Sequence, residues 1–360
     1  MKELELYNLN FYFSLCTSDE VERIKNVSNS ADYLLKIRAN ATIEHIRIHR
    51  VLLAAMRRSG NNWSLSSYFD DSPFEDYIDD VSEQYKEHLE GISGGFVFCN
   101  DPNGRILKTD YGCVITISES LKYFLYYMNL AFLTFDDCDV PDDVRIAALR
   151  IAIRTMMQKE SMDFEIDPRG IIPSQIDMEI RYHVNDVMKF IVGHEYSHYV
   201  LGHLNDESTF EASFLTSIDT EEVKHKFFSY DQKDELAADI HSLRMLSLSK
   251  EKLAGLIQKV CIYFVFMDIY SNVKDQVSPS LNFTKTHPEP MDRLRNIIEE
   301  FKEEVEIDYN EMDKFIRSGE VIKGFLQDDA GYNFDEIYDF YGSIYLGQWR
   351  GKPLIDRVDY

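Results

Sequence analysis

Apolar residues recur at three-to-four spacing along the first ninety positions. Leu34, Leu35, Ile37, Ile43, Ile46 and Leu52 do so within Ala31 to Met56, and a weaker repeat runs from Phe74 to Leu89. Both stretches predict helices with an apolar face, separated by the turn signal Ser59-Gly60-Asn61-Asn62. From Gly94 the period falls to two. Phe96-Val97-Phe98 and Cys113-Val114-Ile115-Thr116-Ile117 read as strands on either side of the turn-forming Asn100-Asp101-Pro102-Asn103-Gly104, with Arg105 to Lys108 as a further candidate strand. A small antiparallel sheet is the expected product.

Helical spacing returns over Glu119 to Phe135 and over Asp142 to Gln158, the second opened by Pro141. Asp167-Pro168-Arg169-Gly170 then makes a sharp connection, after which no proline interrupts the run from Ser174 to His203. Val187, Met188, Phe190, Ile191, Val192, Val200 and Leu201 give that run an apolar flank. Asn205 to Glu222 is polar, broken by Phe210 and Phe214, and reads as loop or lid. Further helices are predicted from a capping-box start at Ser229-x-x-Gln232 through Met245, over Ser249 to Ile269, over Glu289 to Lys302 and over Met312 to Phe325, before an aromatic tail at Phe334 to Trp349. The expected class is α+β and mainly helical. A helical N-terminal region (1–92) would precede a core (93–305) and a helical, aromatic-rich C-terminal extension (306–360).

Chemistry enters at His194-Glu195-Tyr196-Ser197-His198, an H-E-x-x-H pattern. On a helix the i, i+4 spacing puts both imidazoles on one face, where two nitrogens can grip one zinc ion. Glu195, the next residue round, can reach water at that metal without ligating it, which is where a general base for hydrolysis must sit. Three fixed residues in five recur by chance at roughly the few-per-cent level, so the downstream sequence matters. Asp234-Glu235-Leu236-Ala237-Ala238-Asp239 places an E-x-x-x-D on a second predicted helix, with Glu235 and Asp239 sharing a face. A carboxylate from Glu235 completes a His2Glu set, and Asp239 one turn on can accept an imidazole N–H from a ligand histidine. A structural zinc site would prefer cysteine and would fill all four positions, with no use for a glutamate beside a ligand histidine. His203 falls nine positions after His194, one short of the third histidine of H-E-x-x-H-x-x-G-x-x-H proteases, and its role stays open between a ligand and a residue at the helix end or behind the ligands. His183, His225 and His241 have no partner spacing.

Composition narrows the partners. A chain of 360 residues, 44 % hydrophobic and 13 % aromatic, has the make-up of a globular protein. Its formal charge of -25 repels phosphate backbones and anionic membranes, so neither nucleic acid nor membrane is expected as a partner. Cys16, Cys99, Cys113, Cys138 and Cys261 are odd in number and without C-x-x-C spacing, which fits a reducing compartment. Met1-Lys2-Glu3-Leu4-Glu5 carries acids where a signal peptide has bases. Tyr123 to Phe135 and Val260 to Tyr270 are too short or too polar-flanked for a bilayer of about 30 Å. The expectation is a cytoplasmic protein acting on a protein or peptide.

His194-Glu195-x-x-His198 with Gly202-His203, then Glu235-x-x-Ala238-Asp239, then Thr286-His287-Pro288 with Arg293 beyond, resembles the gluzincin metallopeptidases of the CAAX-processing and heat-shock membrane protease group, which carry these blocks in this order. The likeness covers the chain from Phe190 to Arg295, and the joint occurrence is far more specific than any one block. It implies a zincin-like core, zinc on His194, His198 and Glu235, Glu195 as base, Asp239 as an acid behind the ligands, and His287 and Arg293 near the substrate or bracing the site. Two departures stand out: the group's transmembrane helices are missing, and Ala237 replaces a further acid. Soluble gluzincins of bacteria and mobile elements act on cytosolic proteins, including in phage exclusion, and that setting suits this chain better. The function expected is a zinc-dependent endopeptidase, with Cys113 to Ile117 as the strand that pairs with extended substrate. The alternative is a metal-bound interaction module.

Overall fold

In a computed structural model, residues 12–99, 103–136, 138–204, 209–211, 226–228, 232–277, 288–339 and 342–351 are described. The chain divides into two units, Met1–Glu119 with Ile191–Tyr230, and Ser120–Phe190 with Asp231–Tyr360. The mainly helical α+β class expected from the sequence is what the structure shows.

In the first unit, helix α1 (Ser18–Lys25) begins at a capping box of Thr17 and Glu20. Helices α2 (Ser30–Glu44) and α3 (Ile46–Ser59) divide what reads in sequence as one run. The break is at His45, whose backbone is extended (φ -125°, ψ 98°). Helices α4 (Ser72–Asp80) and α5 (Glu83–Leu89) follow. Strands β1 (Ser93–Val97), β2 (Gly104–Thr109), β3 (Gly112–Ser118), β4 (Thr209–Glu211) and β5 (Lys226–Phe228) form one sheet in the order β1-β3-β2-β5-β4. The two-residue connection Asp110-Tyr111, with Gly112 at φ 113°, folds β2 antiparallel onto β3. That places β3 between β2 and β1, and β1 pairs with it in parallel, so the sheet is mixed rather than wholly antiparallel. Both edges of β3 are therefore paired, and the expectation that Cys113 to Ile117 adds a substrate strand is wrong.

One face of this sheet is covered by α2, where Tyr33, Leu34 and Ile37 pack on Val97, Leu107 and Val114. The buried Arg38 joins the layers. Its Nε donates to the Phe96 carbonyl at 2.9 Å and its Nη2 donates to both oxygens of Asp71, while Asp71 also accepts the Phe96 N–H at 2.9 Å. A Cβ at Gly95 would stand 2.3 Å from Arg38 Nη2, which explains why glycine occupies that strand position.

The second unit is helical, with α6 (Glu119–Phe132) opening at the unit boundary and α7 (Asp142–Met156), α9 (Gln232–Arg244), α10 (Lys250–Val277), α11 (Pro290–Phe301) and α12 (Tyr309–Tyr332) behind it. The 27-residue α8 (Ser174–Val200) belongs to this unit through Phe190 and to the first from Ile191. Helices α10 and α12 approach closely, since a Cβ on Gly319 would stand 2.5 Å from Val265. Phe132 packs on Phe266 and Phe315. Arg154 and Arg169, both wholly buried, converge on Glu160 at 3.1 and 2.9 Å, and Arg169 also reaches Asp163 and Asp167. Among the described residues α10 is the one helix long and apolar enough to cross a membrane, and 61 % of its most apolar window is buried within the structure.

Candidate metal centre

The H-E-x-x-H residues lie in the last three turns of α8, as the unbroken apolar periodicity requires. Tyr196, between the two histidines, is buried and stacks on Tyr77 of α4 with ring centroids 5.8 Å apart and planes 7° apart. It is a packing residue, and burial pushes its phenol up to about 12. Gly193 lets that ring in, because a Cβ there would stand 2.4 Å from Tyr77 Cε2. Ser197 Oγ donates to the Gly193 carbonyl at 2.7 Å, which satisfies its buried hydroxyl. Tyr199 is partly exposed.

His194 and His198 are buried, and their Nε2 atoms are 3.1 Å apart. His194, His198 and Glu235 each offer one ligand atom, and these atoms all lie within 4.8 Å of one another. All three side chains are buried, so the group can hold a metal ion. The spacing fits one: two nitrogens each about 2.0–2.1 Å from a common ion, at an angle near tetrahedral, stand roughly 3.1–3.4 Å apart. Glu195 is adjacent, 6 % exposed, and outside the donor set.

Glu235 sits on the first turn of α9, held from within its own unit. Arg293 of α11 places Nη1 3.6 Å from Glu235 Oε2 and donates through Nε and Nη2 to the two oxygens of Asp239 at 2.7 and 2.6 Å. The Asp239 carboxylate is wholly buried, and the Arg293 guanidinium lies over the Phe264 ring at 5.1 Å. Burial pushes the Arg293 cation down, but the charge and hydrogen bonds of Asp239, with Glu235 behind, hold it above its ordinary value. Arg293 is thus a buried bidentate partner of Asp239. His287 lies outside the described residues, as do Thr286 and the Ser229 capping position.

His203 follows a Schellman turn. Gly202 is left-handed (φ 73°), its N–H donates to the Tyr199 carbonyl at 3.1 Å, and the His203 N–H donates to the His198 carbonyl at 2.9 Å. The turn ends α8 and folds His203 back, so that its Nδ1 stands 3.0 Å from His198 Nδ1.

Two neighbours of Glu195 were not singled out from the sequence. A Cβ added to Gly104, at the start of β2, would stand 2.8 Å from Glu195 Oε1. Arg105 is the next residue; burial lowers its pKa, and the Glu195 charge opposes that, which puts a cation near the glutamate. Asn103-Gly104 signals a turn in sequence, and nothing local says that the glycine also admits a helix-borne carboxylate.

No known protein family, no curated protein and no solved structure matches this chain.

Proposed function

We propose that the protein is a zinc-dependent endopeptidase that cleaves a cytosolic protein substrate, in a bacterial stress or phage-defence setting. The observation that carries this reading is the place of Glu195, buried beside a donor set already composed of His194, His198 and Glu235. Imidazole and carboxylate donors in this number suit zinc with a position left open. The resemblance of the three sequence blocks to gluzincins supports the same assignment. When bound, zinc supplies Lewis acidity toward a peptide carbonyl and toward water. Glu195 accepts a proton from the attacking water at a carboxylate oxygen and passes it to the leaving amine nitrogen. A Cβ at Gly104 would stand 2.8 Å from that oxygen, so glycine there leaves the carboxylate its room. Arg293 and Asp239 hold Glu235 in orientation, and the buried ion pair limits its movement.

His287 would donate to the developing oxyanion. No disulfide joins the five cysteines, all of which lie among the described residues, in keeping with a cytoplasmic location.

The test is to incubate the protein with a cell lysate and map new protein termini by mass spectrometry, before and after chelation and again after adding zinc. A set of termini that vanishes with chelation and returns with zinc is expected. No zinc-dependent termini, with the metal bound, would make this a metal-holding interaction module.

A further inference from the structure

His203 has no part in the donor set, yet its ring is placed against a ligand. Two nitrogens 3.0 Å apart share one proton, so of His198 Nδ1 and His203 Nδ1 one donates and the other accepts. The choice decides what the far side of the His198 ring can do. If His203 donated, a neutral His198 would carry its proton on Nε2 and could present no lone pair there. If His198 donates through Nδ1, its Nε2 is bare, and Nε2 is the atom that faces His194 Nε2 at 3.1 Å. Only the second arrangement leaves His198 Nε2 with a lone pair for an ion.

We infer that His203 is the positioning residue that accepts the His198 Nδ1–H, and so holds His198 in the tautomer and orientation that direct Nε2 at the metal site. The turn supplies the means. The Gly202 left-handed residue and the His203 N–H to His198 carbonyl bond at 2.9 Å attach His203 to the backbone of the very residue it orients. A ligand imidazole with its second nitrogen hydrogen-bonded is fixed in tautomer and direction. This role belongs to the metal-holding half of the proposed function and is independent of proteolysis.

The metal-free protein, labelled with nitrogen-15 in histidine, reports the tautomer directly through its imidazole chemical shifts and long-range couplings. Zinc affinity is measured alongside, by competition with a chromogenic chelator. Wild-type His198 is expected as the Nδ1–H form. His203→Phe keeps the ring but removes the acceptor, and should shift His198 toward Nε2–H and weaken zinc binding by about ten- to a hundredfold. His203→Asn, whose amide oxygen can accept in place of Nδ1, should recover most of both signals, which mere filling of space would not do. An Nε2–H form in wild type, or zinc affinity of His203→Phe within about twofold of wild type, overturns the inference. Should His203→Phe not fold, the wild-type tautomer and the Asn variant still decide. Wild-type protein that takes up no zinc removes the proposed function itself; intact zinc binding with an unaffected His203→Phe removes only the role of His203.

Discussion

Gly104→Ala probes the space that β2 leaves for the carboxylate of Glu195. The added Cβ would stand 2.8 Å from Glu195 Oε1, 3.3 Å from Cγ and 3.4 Å from Cδ. An ordinary C···O contact is about 3.3 Å, so the oxygen must yield by about 0.5 Å and Cγ by a few tenths of an ångström. The oxygen is the far end of a flexible side chain. A turned carboxylate costs about 0.5–1.5 kcal/mol, and the loss of glycine freedom in the unfolded chain returns about 0.4–1 kcal/mol. Melting temperature and zinc content should therefore stay close to wild type. Catalysis is less tolerant: a misplacement of about 1 Å can cost about a hundredfold, so a shift of half that predicts a loss of about tenfold in kcat. Gly193→Ala is the internal contrast, because its Cβ would stand 2.4 and 2.6 Å from two atoms of the rigid Tyr77 ring and 2.7 Å from its hydroxyl, and it should lose stability instead. The assay follows cleavage of a substrate identified by terminus mapping, with thermal melts in parallel. Full activity in Gly104→Ala would refute the placement of Glu195 as the base held against β2.

Glu235→Ala should lower zinc affinity far more than His203→Phe, since it removes a ligand and not a partner of one; chelator competition ranks the two. If His287 donates to the oxyanion, His287→Ala should reduce turnover by roughly two to three orders of magnitude with little change in KM, whereas a fall in melting temperature at constant turnover would make it a turn residue. Burial alone would raise the Asp329 carboxyl, but Arg150, Asn333 and Tyr338 hold it below its ordinary value. A depressed folded pKa gives stability that is present above the unfolded value of about 3.9 and lost as pH falls through the folded one. Asp329→Asn should accordingly be less stable than wild type near neutrality, with the gap in acid melts narrowing only as pH falls below about 3.9 and closing below the lower folded value; parallel curves would contradict the pairing.

The donor set was legible because its parts are local. An i, i+4 histidine pair is set by helix geometry alone, and the periodicity from Ser174 onward left little doubt that a helix carried it. Glu235 and Asp239 were readable for the same reason, as one face of one helix. What the sequence concealed is pairing between distant segments. Helix α10 runs to Val277, eight residues beyond the predicted Ile269, because polar residues near its end find partners on α12: Asp268 accepts from Lys323 at 2.7 Å and Asn272 accepts from Gln327 at 2.6 Å. Read alone, those side chains mark a surface end. The same pairing carries α12 past Phe325 to Tyr332. Strand order is also non-local, so the insertion of β3 between β1 and β2 could not be seen in an alternation pattern that is identical for edge and centre. The Arg293 bond to Asp239 joins residues 54 apart, and Gly104 lies beside Glu195 across 91 positions; neither leaves a periodic trace.

Glu195→Gln tests the central claim most directly. The two residues have similar helix propensity, and neither His194, His198 nor Glu235 is altered, so zinc content and melting temperature should match wild type. An amide cannot accept the proton that the carboxylate takes, and cleavage should fall by at least about a hundred- to ten-thousandfold. Zinc-loaded, folded Glu195→Gln that cleaves at the wild-type rate would contradict the assignment of this protein as a hydrolase with Glu195 as its base.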